Sequence, residues 1–265
     1  MGTLVCFHAH PDDEAISTGG SMARASEQGH RVVLVVATNG DHGEVPDDLE
    51  MGETLIDRRR RELARSAEVL GVDRVVWLGY RDSGMTGWEQ NGHTESFMSA
   101  PLDQAAERLA EVLRDERADV LTVYDWHGNY GHPDHIQVHR VGNRAAELAG
   151  TPAVFEATMN RDLIVRHMQA AMESDLARMP DDFDPTGPAD DGNPFGTPEA
   201  ELTHAVDVRE YVDLKRAAIT CHASQVTDVG MFLSMPPEIF ALAFGTEYFV
   251  KHGQQPGLRD GWLFE

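Results

Sequence analysis

Cysteine is nearly absent. Cys6 and Cys221 are the only two, and neither has a C-x-x-C partner. That excludes a disulfide framework, a cysteine zinc site and a dithiol redox motif. Cys6 sits in an apolar run and reads as a small core residue. Lysine is equally scarce, with Lys215 and Lys251 alone, so the basic side chains are almost all arginine. Positive charge is short overall: 22 basic against 45 acidic residues give a formal net charge of -23. Such a surface opposes nucleic acid, whose binding rests on neutralising phosphates, and it also disfavours anionic membranes. No apolar run approaches the length needed to span a bilayer, and no leader with a basic start, an apolar centre and a cleavage site opens the chain. The expectation is a soluble cytoplasmic protein. There is no G-x-G-x-x-G after the first strand and no Walker A sequence, so no nucleotide cofactor is indicated.

What is present is a regular alternation of elements. Apolar runs predict strands over 4–7, 31–38, 74–78, 119–124 and 153–157. Helical patterns cover 17–28, 54–70, 102–117 and 135–149, several closed by glycine (Gly29, Gly71, Gly150). Strands alternating with helices mean an α/β fold with a parallel sheet between helix layers. With 265 residues the chain has room for one large domain, read here as 1–265 with a core over 1–158, a variable segment over 159–200 and a smaller C-terminal α+β portion over 201–265. In that last portion strands are expected near 203–208 and 247–250, and a helix over 210–222. Pro180 to Pro198, rich in Asp, Pro and Gly, reads as a flexible connection or flap.

In open α/β sheets ligands sit beyond the carboxyl ends of the strands, and there the polar residues collect. The first strand runs into His8-Ala9-His10-Pro11-Asp12-Asp13-Glu14; a later one is followed by Tyr130-Gly131-His132-Pro133-Asp134-His135. The loops over 39–43 and 79–84 fall on the same rim. A catalytic divalent metal takes about three protein ligands and keeps a position open for water. His10 and Asp13, three apart on a turn into a helix, can share one ion, with His135 as third ligand. Asp12 is then free to take a proton from an attacking water. His132 stands opposite, as oxyanion stabiliser or leaving-group acid, with Asp134 behind it to orient it and raise its pKa. Tyr130 can donate a further hydrogen bond to the oxyanion. Two histidines and a carboxylate also form the iron(II) oxygenase triad, but the adjacent Asp12 base argues for hydrolysis. His8 is either a satisfied core histidine or a support for the site; His127, His139 and His222 are ambiguous. The acidic run at 12–14 also suits a helix start, where it offsets the dipole. In Arg58-Arg59-Arg60-Arg61, most members are expected to pair with Glu62, Glu68 or solvent, and one can reach the rim.

The A-H-P-D-D-E loop together with the later H-P-D-H loop resembles the LmbE-like or PIG-L family of zinc-dependent N-acetylglucosamine deacetylases, relatives of the mycothiol-pathway deacetylase and conjugate amidase. Weaker likenesses are Arg59-x-x-Glu62-Leu63, Arg81 to Met85, Gly128-Asn129 and the stretch from Lys215 to Gln225. The resemblance implies a Rossmann-like, mostly parallel sheet with zinc at the strand ends held by His10, Asp13 and His135. It implies Asp12 as general base, His132 as electrophilic or acid histidine, and Tyr130 as a mobile tyrosine. Arg59 and Asp82 match residues that grip the sugar substrate. The small-molecule substrate is expected to be an N-acetyl sugar or its conjugate, the alternatives being cleavage of a larger acyl conjugate or metal binding without turnover.

Overall fold

Strand β1 (Thr3–His8) is buried at every position, and β2 (Arg31–Thr38) at every position but its first. Strands apolar on both faces require a layer on each side. The computed structural model, which describes residues 1–174 and 184–264, supplies both. Leu4 and Cys6 of β1 and Val32, Leu34 and Val36 of β2 face one core, with Met22, Ile219 and Phe240. Their neighbours Val5, Phe7, Val33 and Val35 face the other, with Leu109, Leu113, Val138 and Val141. The alternation is the period of two intrinsic to a strand.

The remaining strands are β3 (Arg74–Tyr80), β4 (Val120–Tyr124), β5 (Ala153–Thr158), β6 (His204–Asp207), β7 (Thr246–Lys251) and β8 (Arg259–Asp260). All join one eight-stranded sheet in the order β3-β2-β1-β4-β5-β7-β6-β8. The first five are parallel. The C-terminal portion extends the same sheet, with β7 antiparallel to both β5 and β6. From β1 the chain winds outward through β2 and β3, then returns to lay β4 on β1's other side. The crevice between the carboxyl ends of β1 and β4 is the topological switch point at which such sheets bind ligands.

The helices are α1 (Asp13–Ser17), α2 (Gly19–Glu27), α3 (Leu55–Val69), α4 (Leu102–Glu116), α5 (Gly128–Gly131), α6 (Pro133–Ala149), α7 (Arg161–Ser174), α8 (Val212–Cys221), α9 (Val226–Leu233) and α10 (Pro237–Phe244). Helix α3 starts on a capping box between Thr54 and Asp57. Helix α6 lies so close on β4 that a Cβ at Gly142 would fall 2.2 Å from Val123. The helix expected over 17–28 is α2, over Gly19–Glu27, and the short helix α1 precedes it across a break at Thr18. Helices α7, α9 and α10 and the edge strand β8 lie outside the elements expected from sequence. Among the described residues no helix is long and apolar enough to cross a membrane.

The two halves of the chain are tied by buried charge. Glu247 of β7 accepts the backbone N–H groups of Gly20 (2.8 Å) and Ser21 (2.9 Å) at the start of α2, and Lys215 of α8 donates to it at 2.6 Å. Lys215 and Glu247 are both almost wholly buried. Removing one partner of such a pair strands the other charge. Lys215→Met is therefore expected to destabilise the fold by about 3 kcal/mol, read as a lower urea midpoint at unchanged slope. A midpoint equal to that of the parent would mean that the two N–H groups satisfy Glu247 alone.

Candidate metal centre

Between β1 and α1 the chain makes a turn stabilised by its own side chains. Asp13 Oδ2 accepts the His10 backbone N–H at 2.8 Å and lies 3.3 Å from His10 Nδ1. The other Asp13 oxygen lies 3.3 Å from Nε2 of His135, which arrives from α6. The two loops therefore meet at Asp13. His10, His132 and His135 bring ring nitrogens within 4.8 Å of one another, all three residues buried.

The second loop is shaped by Asp125, just past β4. Its Oδ1 accepts the N–H groups of His127 (3.2 Å) and Asn129 (2.8 Å), and its Oδ2 accepts the Thr158 hydroxyl (2.5 Å). Gly128 takes φ 67°, and a Cβ there would stand 2.4 Å from the His135 Cβ. Only glycine lets the turn pass behind the histidine. His132 is the N-cap of α6, and its Nδ1 accepts the Asp134 N–H at 3.1 Å. With Nδ1 accepting, neutral His132 carries its proton on Nε2.

That arrangement corrects one expectation. The Asp134 carboxylate does not stand behind His132. It accepts from the Ser83 hydroxyl and, at 2.9 Å, from the Ser83 N–H, and it lies 3.2 Å from His10 Nε2. Asp134 contributes only its backbone to His132, and the His132 pKa falls rather than rises. Burial drives it well below the usual imidazole range, and the charges of His10 and His135 act in the same direction.

Arg59 and Asp82 both lie buried beside the site. Arg59 is 3% exposed. Its Nη1 donates to the Gly40 carbonyl (2.9 Å), and its Nη2 to the Pro11 carbonyl (2.6 Å) and to Asp12 Oδ2 (3.0 Å). Its two terminal nitrogens thus hold the loop that carries Asp12, while Nε has no hydrogen-bond partner among the described residues. Asp82, 6% exposed, puts Oδ1 3.5 Å from His10 Nε2 and accepts the Gly84 N–H at 2.8 Å. The other arginines of the run pair with Glu53 and Asp48 (Arg58, Arg61) or lie over Trp77 (Arg60). Glu62 instead receives the N–H and hydroxyl of Ser224.

Tyr130, half-buried, presents its ring edge-on to His135 at 5.1 Å and to His132 at 6.2 Å. It stacks on Phe195 at 6.4 Å. Phe195 belongs to the Asp, Pro and Gly-rich stretch expected to be a flexible connection or flap. Residues 180–183 of that stretch lie outside the described residues. The rest packs on the site loop: Asp190 N–H donates to the Tyr130 carbonyl (3.1 Å) and Gly196 N–H to that of Asn129 (2.7 Å). Arg161 holds the Pro194, Phe195 and Gly196 carbonyls. His8 is a satisfied core histidine, its nitrogens 2.8 Å from the Tyr124 and Thr18 hydroxyls; Tyr124 in turn stacks on His135 at 4.3 Å.

The electrostatics of this rim favour a cation. The carboxylates of Asp12, Asp13, Asp82 and Asp134 gather around the histidines, and Arg59 is the permanent cation beside them. Burial pushes the Asp12 carboxyl up to about 6, although Arg59 draws it back. For Asp13 burial acts upward too, yet His135 and His10 hold the group well below its ordinary value. Burial works to lower His10, but Asp82, Asp13 and Asp134 raise it well above the imidazole range. A histidine raised toward its protonated form among buried acids marks a place that favours positive charge, which a divalent ion is able to supply. His135 adds a second sign. It is buried; its Nδ1 has no hydrogen-bond partner among the described residues and its Nε2 faces only the Asp13 carboxylate at 3.3 Å, an arrangement that leaves a nitrogen free for a metal. The residues present fit a divalent ion.

Sequence reasoning left Glu14 to helix-dipole compensation and His222 ambiguous, without pairing them. Glu14 is wholly buried and accepts from the Asp12 N–H (2.9 Å), the Ser66 hydroxyl (2.5 Å) and His222 Nε2 (2.7 Å). The signal was present as the third acid of the A-H-P-D-D-E loop, which also suits plain dipole compensation.

The sequence matches the family described as GlcNAc-PI de-N-acetylase (PIG-L) over residues 5–146. A 1D-myo-inositol 2-acetamido-2-deoxy-alpha-D-glucopyranoside deacetylase of Acidothermus cellulolyticus is 40% identical over 261 residues, covering 94% of this chain and 88% of the relative. The enzyme of the same name from Streptomyces griseus is 39% identical over 275 residues, covering 97% and 85%. In solved structures, the N,N'-diacetylchitobiose deacetylase of Pyrococcus horikoshii shares the fold with a TM-score of 0.60 at 23% identity, over 94% of this chain and 83% of that one.

Gly128→Ala tests the local geometry. The added methyl meets the His135 Cβ, so the variant is expected to fold with unchanged circular dichroism yet lose roughly a hundredfold in divalent-ion affinity, the scale on which supporting contacts tune a metal site. Unchanged affinity would show that His135 moves freely.

Proposed function

The chain belongs to the PIG-L family of GlcNAc-PI de-N-acetylases, and we propose that it is a zinc-dependent hydrolase that removes the acetyl group from an N-acetylated amino-sugar conjugate. The observation that supports this reading is the rim itself, where His10, His132 and His135 bring ring nitrogens within 4.8 Å of one another beside Asp13; in this reading His10, Asp13 and His135 are the ligands and Asp12 stands beside them. When bound, a zinc ion polarises the amide carbonyl and makes a water acidic enough to be deprotonated near neutral pH.

The chain's own groups do the rest. Asp12, with a carboxyl raised to about 6 by burial, takes a proton from the attacking water. The water oxygen bonds to the carbonyl carbon, the carbon–nitrogen bond breaks, and the proton held by Asp12 passes to the departing amine, leaving acetate. His132, neutral and protonated on Nε2, donates to the oxygen on which negative charge develops. This favours the oxyanion role over that of leaving-group acid. Tyr130 faces the same histidines and is a second donor for that oxygen. Arg59 acts through Asp12 and Asp82 through His10, so both are positioning residues in this scheme.

The test uses the substrate of the named relatives, 1D-myo-inositol 2-acetamido-2-deoxy-α-D-glucopyranoside, with acetate release and metal content measured together. Wild type is expected to release acetate and to bind one zinc per chain. His135→Ala is expected to lose most of the metal. Asp12→Asn is expected to keep the metal and lose about a hundredfold or more in kcat, the scale of general-base loss. A wild-type rate in Asp12→Asn would remove Asp12 as the proton acceptor. Activity only on conjugates with a larger acyl group would overturn the deacetylase assignment.

A further inference from the structure

Asp12 sits in a backbone conformation that side chains avoid, φ 128° and ψ -33°. Strain of this kind persists only where the surroundings over-determine it. Here the peptide unit joining Pro11 to Asp12 is gripped at both ends. Its carbonyl accepts from Arg59 Nη2 at 2.6 Å, and its N–H donates to Glu14 Oε2 at 2.9 Å. Glu14 cannot turn away, because its Oε1 is held by the Ser66 hydroxyl of α3 (2.5 Å) and by His222 Nε2 just past α8 (2.7 Å). Glu14, Ser66 and His222 are all wholly buried. His222 Nδ1 has no hydrogen-bond partner among the described residues, so the ring's one polar attachment is to Glu14.

We infer that the Glu14–His222 pair, braced by Ser66, is a positioning device that fixes the Pro11–Asp12 peptide and so aims the Asp12 carboxylate at the reacting water. Glu14 holds the N–H side of that peptide and Arg59 the carbonyl side. The Asp12 carboxylate, also bound to Arg59, then has one orientation instead of several. His222 belongs to the C-terminal portion, 210 positions from Asp12 in the sequence, so this portion takes part in the chemistry by setting a backbone angle. The inference rests on Asp12 being the base, as proposed above.

The experiment is a set of kinetic cycles on the zinc-loaded, full-length chain with the inositol conjugate named above. His222→Ala is expected to lower kcat roughly tenfold or more, since small misplacements of a reacting group carry penalties of that size, with KM and zinc content unchanged. His222→Gln, which retains an N–H donor of similar reach, is expected to recover most of the loss. In an Asp12→Asn background, His222→Ala is expected to cause no further loss of kcat, the non-additivity of groups acting through one another. A merely structural role would lower stability and activity equally in both backgrounds, and that result overturns the inference. So does a wild-type kcat in His222→Ala while Asp12→Asn remains impaired. If Asp12→Asn itself is fully active, the base assignment fails, and the inference falls with it. Should His222→Ala not fold, Ser66→Ala removes one brace of Glu14 and carries the same cycle.

Discussion

Buried negative charge in excess of its matching positive charge is the constraint on which this molecule depends. Asp12, Asp13, Asp82 and Asp134 are carried into the crevice between β1 and β4, where solvent screening is weak. The chain answers with one buried arginine, Arg59, and with histidines. His10 is forced toward the protonated state and Asp13 far toward the ionised one. A stable fold cannot leave such a cluster uncompensated. The buried His and Asp groups are able to hold a divalent ion, and in the proposed function that ion offsets the imbalance and activates water.

The sheet topology explains why these groups meet. His10 and His135 are 125 positions apart in the sequence, yet they extend from adjacent strands whose carboxyl ends open at the switch point. The helices that cover the sheet then contribute inward-facing polar groups. Arg59, Glu62 and Ser66 of α3 lie on its buried face and reach Asp12, Ser224 and Glu14 respectively. The C-terminal portion closes the arrangement from the other side through Lys215, His222 and Ser224. It continues the same sheet and braces the turn that carries Asp12 from behind.

Much of this was legible in the sequence, for identifiable reasons. Strands β1, β2 and β4 are continuous apolar runs because they are buried on both faces, and their ends carry the metal-ligand residue types in two tight spacings. What was not legible depends on which of two available partners a side chain chooses. Asp134 was expected behind His132; its carboxylate goes to Ser83 because α6 begins at Pro133 and turns the side chain toward the β3 loop. That Arg59 binds the Pro11 and Gly40 carbonyls and Asp12 could not be read from the run of four arginines. Phe195 was hidden in a stretch whose Asp, Pro and Gly content reads as flexible, although Arg161 fastens it by backbone carbonyls. The apolar helices α9 and α10 are short and lack a polar face, so periodicity alone does not mark them.

The central claim is that a divalent cation neutralises the buried acids of the rim. It is tested most directly by thermal unfolding of chelator-stripped protein with and without added zinc. A ligand that binds only the folded state stabilises it by about 2.7 kcal/mol at a hundredfold excess over its dissociation constant. The account predicts that zinc raises Tm by several degrees in the wild type and has no such effect in His135→Ala. A Tm indifferent to zinc in the wild type, in a stripped protein that still releases acetate at full rate, would contradict it.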